Sequence, residues 1–184
     1  MLCVVGSVRG VTYLDNIMYV VCYDSSAISL YDMQTYEKLS SVINIDGMRD
    51  PCDMVVCHSS RQLYIADWYN CIWRVSVDDH SQYDKWLQTE YWIRSLSVTS
   101  QRLLVTPDVF LYRHTRALLR LYSTTDAAQI GVVRLPEYMQ KLYHAVETTR
   151  GTCVVAHRGT SQNKLQWAVS RVVTCCVALF ISCE

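Results

Sequence analysis

Residues 51–77 read PCDMVVCHSSRQLYIADWYNCIWRVSV, and no other stretch of the chain constrains the fold so tightly. The apolar run Met54–Val56 is followed by a turn-forming His58-Ser59-Ser60-Arg61. A second apolar run, Leu63–Ala66, leads into an acidic turn at Asp67–Asn70, and a third covers Ile72–Val77. Short runs of β-branched and aromatic residues between polar turn-formers read as antiparallel strands. A unit this small has an apolar face that it cannot cover alone, so it must stack against copies of itself.

Weaker copies lie on both sides. Four units of about 40–45 residues can be written under one another, at roughly 8–45, 48–90, 91–137 and 138–171. The first has two alternating strands in IMYVVCYDSSAISLYDM, joined at the Asp-Ser-Ser turn of 24–26. The third has strands at Ile93–Val98, Arg102–Thr106, Ala117–Tyr122 and Ile130–Leu135, with Pro107–Arg116 as a lengthened loop. The fourth has Leu142–Glu147 and Thr152–Ala156, a turn at His157–Asn163, and a return at Lys164–Ser170. Tyr19 aligns with Tyr64, Leu63 with Leu103, and Val105 with Val154, which sets a spacing of 40–49 residues. That period matches a four-stranded propeller blade. Helix competes only at Tyr83–Leu87 and Glu137–Leu142, where neither segment sustains a 3.6-residue period.

Half the residues are apolar, which excludes a disordered chain. The 13 Tyr and 5 Trp against 2 Phe suit half-exposed strands, since each joins an apolar body to a polar tip. Residues 1–90 carry six basic and twelve acidic side chains, and residues 91–184 carry eleven and five, so a neutral total hides halves of net −6 and +6. The nine cysteines show no C-x-x-C pair and sit where strands want small apolar residues. They read as buried, reduced thiols, with a cytoplasmic location as the expectation. The apolar run Val172–Cys183 is too short to span a bilayer as a helix, so no membrane partner is expected.

Residues 51–77 resemble the NHL family of β-propeller repeats. The matching positions are Pro51, Met54–Val56, Leu63-Tyr64-Ile65-Ala66-Asp67, Asn70 and Ile72-Trp73-Arg74-Val75. The other units depart from the motif: Cys22, Thr106-Pro107 and His157 stand where Asp67 does. The resemblance implies an all-β fold, a partial propeller of about four four-stranded antiparallel blades. Family rings usually close with about six blades. A fragment of a longer propeller is therefore expected, one domain over 1–171 followed by an atypical apolar tail at 172–184.

Asp67 and Asn70 read as turn-formers: a strand-end carboxylate accepts turn N–H bonds, and Asn tolerates the left-handed backbone. Asp46, Asp50 and Asp53 cluster in an inter-blade loop, but their spacing does not fit a calcium loop. Cys52, Cys57, His58 and Cys71 lack the paired spacing of a zinc set. No metal and no small-molecule cofactor are expected. No nucleophile, phosphate-loop or metalloprotease motif is present.

Tyr112, Arg113 and Arg116 lie in the long loop of the third unit, which also carries Arg94, Arg102, Arg120 and Tyr122. Arg interleaved with Tyr suits either a protein interface or single-stranded RNA. The first functional expectation is a non-enzymatic scaffold for protein partners, with Asp46–Asp53 and Pro107–Arg116 as contact loops. The second is an RNA-binding propeller, a property of some animal members of the resembled family. The third is a propeller hydrolase or lyase.

Overall fold

A computed structural model describes residues 7–99, 101–108, 118–136, 139–148, 150–161 and 164–173. These residues are all-β and form fifteen strands in four antiparallel sheets. The first sheet is β1 (Val8–Leu14), β2 (Ile17–Cys22), β3 (Ala27–Asp32) and β4 (Lys38–Asn44), paired in chain order. The second is β5 (Pro51–Cys57), β6 (Gln62–Asp67), β7 (Cys71–Ser76) and β8 (Tyr83–Gln88). The third is β9 (Ile93–Val98), β10 (Arg102–Pro107), β11 (Leu118–Ser123) and β12 (Gln129–Arg134). The fourth has three strands among the described residues: β13 (Met139–Glu147), β14 (Thr152–Ser161) and β15 (Lys164–Val173).

Burial explains the order within a sheet. The second strands β6 and β10 are buried at all but their first residue, and β2 is buried over Tyr19–Val21, so they read as continuous apolar runs. The fourth strands β4, β8 and β12 are mostly exposed and carry charge. The sequence anchors Tyr19 and Tyr64 both fall at the third position of a second strand, and both are fully buried.

Two weak helical alternatives resolve as strand, and one local reading of the sequence is corrected. Tyr83–Leu87 is an outer strand rather than a helical turn, pairing Tyr83 with Val75 and Leu87 with Ile72. Met139–Leu142 belongs to β13, not to a helix. The turn expected from His157 onward does not begin there: β14 runs on to Ser161, opposite Lys164. In each case sheet pairing overrides a weak local pattern, since strand propensity depends on neighbours.

The chain divides into two compact units, Met1–Leu96 and Ser97–Glu184, with the division inside β9. In the first unit, Tyr19, Val21, Ile28, Leu30 and Ile43 of the first sheet pack with Met54, Val56, Leu63, Ile65, Trp73 and Val75 of the second. The seam is tightest at Gly10 of β1, where an added Cβ would lie 2.7 Å from the Met54 backbone nitrogen. One end of the seam is ionic. Arg61 donates from Nη2 to Asp15 at 2.9 Å and from Nε to Asp78 at 2.7 Å, joining a turn of the first sheet to two turns of the second. All three side chains are well exposed.

In the second unit, Leu104, Leu119, Leu121 and Val133 pack with Met139, Leu142, Ala145, Cys153 and Val155. Arg102 Nη1 donates to the nearly buried Glu147 at 3.0 Å. The cysteines Cys22, Cys52, Cys57, Cys71 and Cys153 are free thiols.

Candidate functional site

In an antiparallel meander, alternate turns fall at opposite ends of the sheet. The entry to β5, the β6–β7 turn and the exit from β8 therefore share one end of the second sheet. That end gathers residues 45–50, 68–70 and 89–92. The turn His58–Arg61 and the β7–β8 loop occupy the other end, where Arg61 holds its two aspartates.

Asp67, the last residue of β6, is 2% exposed and builds the β6–β7 turn. Its Oδ1 accepts the backbone N–H of Tyr69 at 2.9 Å and of Cys71 at 3.2 Å. Its Oδ2 accepts Trp73 Nε1–H at 2.8 Å. Burial pushes the Asp67 carboxyl above its ordinary value, while the Trp73 and backbone donors pull it back. Asn70 holds a left-handed backbone, φ 62°, and its carbonyl accepts from Gln88 Nε2 and Thr89 Oγ1. The turn is thus fastened to the exit of β8.

The acidic loop expected over Asp46–Asp53 ends at Asp50, because Asp53 lies within β5, and the three carboxylates have different surroundings. Asp53 is turned into the sheet: its Oδ1 accepts the Met54 N–H at 2.9 Å and its Oδ2 the Leu96 N–H at 2.8 Å. Asp50 holds a left-handed φ of 43°, and its carbonyl accepts the Trp68 N–H at 3.3 Å. Asp46 is exposed, and its N–H donates to Tyr83 Oη at 3.4 Å.

The turn and loops present aromatic side chains that the sequence reading passed over. Trp68 and Trp92 meet edge to face with ring centres 5.3 Å apart. Tyr69 is 57% exposed and Trp92 36%. The Arg49 guanidinium lies over the Tyr69 ring at 6.0 Å. Trp68 Nε1 and Asn70 Oδ1 are buried and find no hydrogen-bond partner among the described residues. The available signal was the pairing of bulky aromatics, Trp68-Tyr69 and Tyr91-Trp92, in turns that normally take small polar residues.

The remaining sequence candidates are dispersed. Tyr112, Arg113, Arg116 and most of the loop Pro107–Arg116 lie outside the described residues. Arg102 is paired with Glu147, and Arg120 Nη1 donates to Gln129 Oε1 at 2.8 Å. The Cys52 thiol donates to the carbonyls of Ala66 and Ile93, and Cys57 meets Ser59 Oγ at 3.3 Å. Burial raises the Cys52 thiol far above its usual range. Among the described residues, no three His, Cys, Asp or Glu side chains gather to hold a metal ion. No helix there is long and apolar enough to cross a membrane.

No protein-family model matches the chain, and no curated protein matches it in sequence. Solved structures do match. The computationally designed Ika4 protein aligns with a TM-score of 0.62 at 9% identity, covering 91% of this chain and 92% of that one. U3-55K aligns at 0.65 and 12% identity, over 83% of this chain and 46% of its own. The WD40 repeats of RRP9 align at 0.64 and 12% identity, over 83% and 45%. The chain thus spans just under half the length of the latter two. Together with the successive antiparallel sheets, these likenesses establish a β-propeller-like fold.

Proposed function

We propose that the chain is a non-enzymatic protein-interaction scaffold, and that the end of the second sheet built by residues 45–50, 68–70 and 89–92 is its contact surface. The observation that carries this reading is the pair of contacts Trp68–Trp92 and Arg49–Tyr69, in which Arg49, Tyr69 and Trp92 are exposed. Trp, Tyr and Arg dominate binding energy at protein interfaces, because each buries a large area at low conformational cost. The cluster sits in turns fastened by Asp67, Gln88 and Thr89, so its side chains project from a fixed frame. The NHL-like character of residues 51–77 belongs to this same blade. It names no partner.

RNA binding by the Arg-rich third unit is the second reading. It rests on Arg113 and Arg116, because Arg102 and Arg120 already have partners within the chain.

A photo-crosslinking amino acid at Tyr69 tests the scaffold reading, with Tyr36 as control. Tyr36 is 55% exposed in the β3–β4 turn, at the other end of its sheet. Protein adducts from Tyr69 that are absent from Tyr36, and that Trp92→Ala abolishes, support the surface. Equal labelling from both positions, or labelling indifferent to Trp92→Ala, sinks it. Adducts to RNA alone favour the second reading.

A further inference from the structure

We infer that the occupant of this surface is a cationic peptide segment, which presents an arginine or lysine side chain to the Trp68–Trp92 corner, at the end of the sheet whose entry loop carries Asp46 and Asp50. The inference rests on the interaction-surface reading and names its partner by chemistry.

Charge is the first ground. Asp53 and Asp67 use their carboxylates inside the fold. Those of Asp46 and Asp50 accept no hydrogen bond from the described residues and stand on the entry loop, exposed and half-exposed respectively. Arg49 is the exposed cation of that loop, and it lies over Tyr69. An anionic segment or a phosphate backbone would meet two uncompensated carboxylates here, whereas a cation meets attraction.

Ring faces are the second. A cation is drawn to the negative face of Trp or Tyr within about 6 Å. The chain already uses this attraction twice at the second sheet, with Arg49 over Tyr69 at 6.0 Å and Lys85 Nζ over Trp73 at 5.4 Å. Trp92, packed edge to face with Trp68, keeps about a third of its surface open to a visitor. The third ground is Asn70 Oδ1, an acceptor without a partner among the described residues. It suits the several N–H donors of a guanidinium or ammonium group.

The test titrates the full chain with three fluorescein-labelled probes in low salt: a Gly-Arg repeat octapeptide, a Gly-Glu repeat octapeptide and a uridine decamer. The arginine peptide should bind and the other two should not. Trp92→Ala should weaken it roughly threefold to thirtyfold, the range of cation–π contributions. The double change Asp46→Asn, Asp50→Asn keeps side-chain volume, and Asn tolerates the left-handed backbone at position 50. It should weaken binding and flatten its salt dependence. Binding that ignores the double variant overturns the inference, as does preference for the glutamate peptide or the RNA. If Trp92-dependent protein adducts form at Tyr69 yet the arginine peptide does not bind, the surface stands and the cationic partner falls. If neither occurs, both fall.

Discussion

Replacing Asp67 by Ala is an incisive perturbation, because one buried carboxylate holds three donors. Removal leaves Tyr69 N–H, Cys71 N–H and Trp73 Nε1–H without their acceptor. Tyr69 is exposed, so water can replace its bond. Cys71 and Trp73 are buried at 2% and 6% exposure, so theirs cannot be replaced without rearrangement. A buried donor left unsatisfied costs about 1–3 kcal/mol. Against two such losses stands the relief of no longer burying a carboxylate, so the net expectation is about 2–4 kcal/mol of destabilisation. Asp67→Asn should fall between: its single carbonyl can face the two amides, but its NH₂ group then opposes Trp73 Nε1–H.

The assay is urea denaturation followed by tryptophan fluorescence. Four of the five tryptophans, at 68, 73, 86 and 92, lie in the first unit, so the signal reports that unit. Trp73→Phe completes a double-mutant cycle, with an expected coupling of about 1–2 kcal/mol. Additivity within about 0.3 kcal/mol would refute the bond between the two side chains as a stabilising contact. An Asp67→Ala variant as stable as the parent would refute the whole account of the turn.

Three other outcomes are expected. Gly10→Ala should destabilise the first unit by about 1–3 kcal/mol, since the new methyl meets main chain that cannot swing aside; an unchanged urea midpoint would show that the seam relaxes. Burial pushes the Cys71 thiol up to about 12 and the Cys153 thiol up to about 11. Both should therefore resist iodoacetamide at pH 8 in the native chain while the half-exposed Cys22 reacts, as peptide mass spectrometry would show. Asp32, Asp79 and Asp126 sit below the usual carboxylate range. The causes are the Thr35 and Gln34 N–H groups at Asp32, the Ser81 hydroxyl and N–H at Asp79, and the Ser123 hydroxyl and Ala128 N–H at Asp126. A depressed acid stabilises the fold above its unfolded value, near 3.9, and that contribution is lost as pH falls through the folded one. The urea midpoint should drop below about pH 4, and a flat profile from pH 5 to 2 would contradict these turns.

Burial decided how much of the fold the sequence revealed. The second strands β2, β6 and β10 are buried on both faces, and their apolar runs gave the period of the units through Tyr19, Tyr64 and Leu103. The outer strand β8, YDKWLQ, has little of its surface covered, so it carries no alternation to read and left helix as a weak competitor. The extent of β14 was hidden for another reason: only its pairing with β15 carries it through His157 to Ser161. At the site, the acidic loop Asp46–Asp53 was legible as a cluster. That Asp53 turns inward to Leu96 was not, because the pairing lies between residues 43 apart in the chain. The aromatic corner was missed because Trp68 and Trp92 meet across two turns separated by a full hairpin.

The clamp of Arg61 on Asp15 and Asp78 has a consequence for how solvent acts on the first unit. The clamped end is held by exposed ion pairs, which dissolved salt screens. The aromatic end adds to its hydrogen bonds an apolar contact between Trp68 and Trp92, which excluded salts such as sulfate reinforce. One solute therefore loosens one end of the unit while firming the other. Hydrogen exchange of the β5–β6 and β6–β7 turns should move in opposite directions as sulfate is added, making the blade a crude gauge of ionic surroundings whose two ends read with opposite sign.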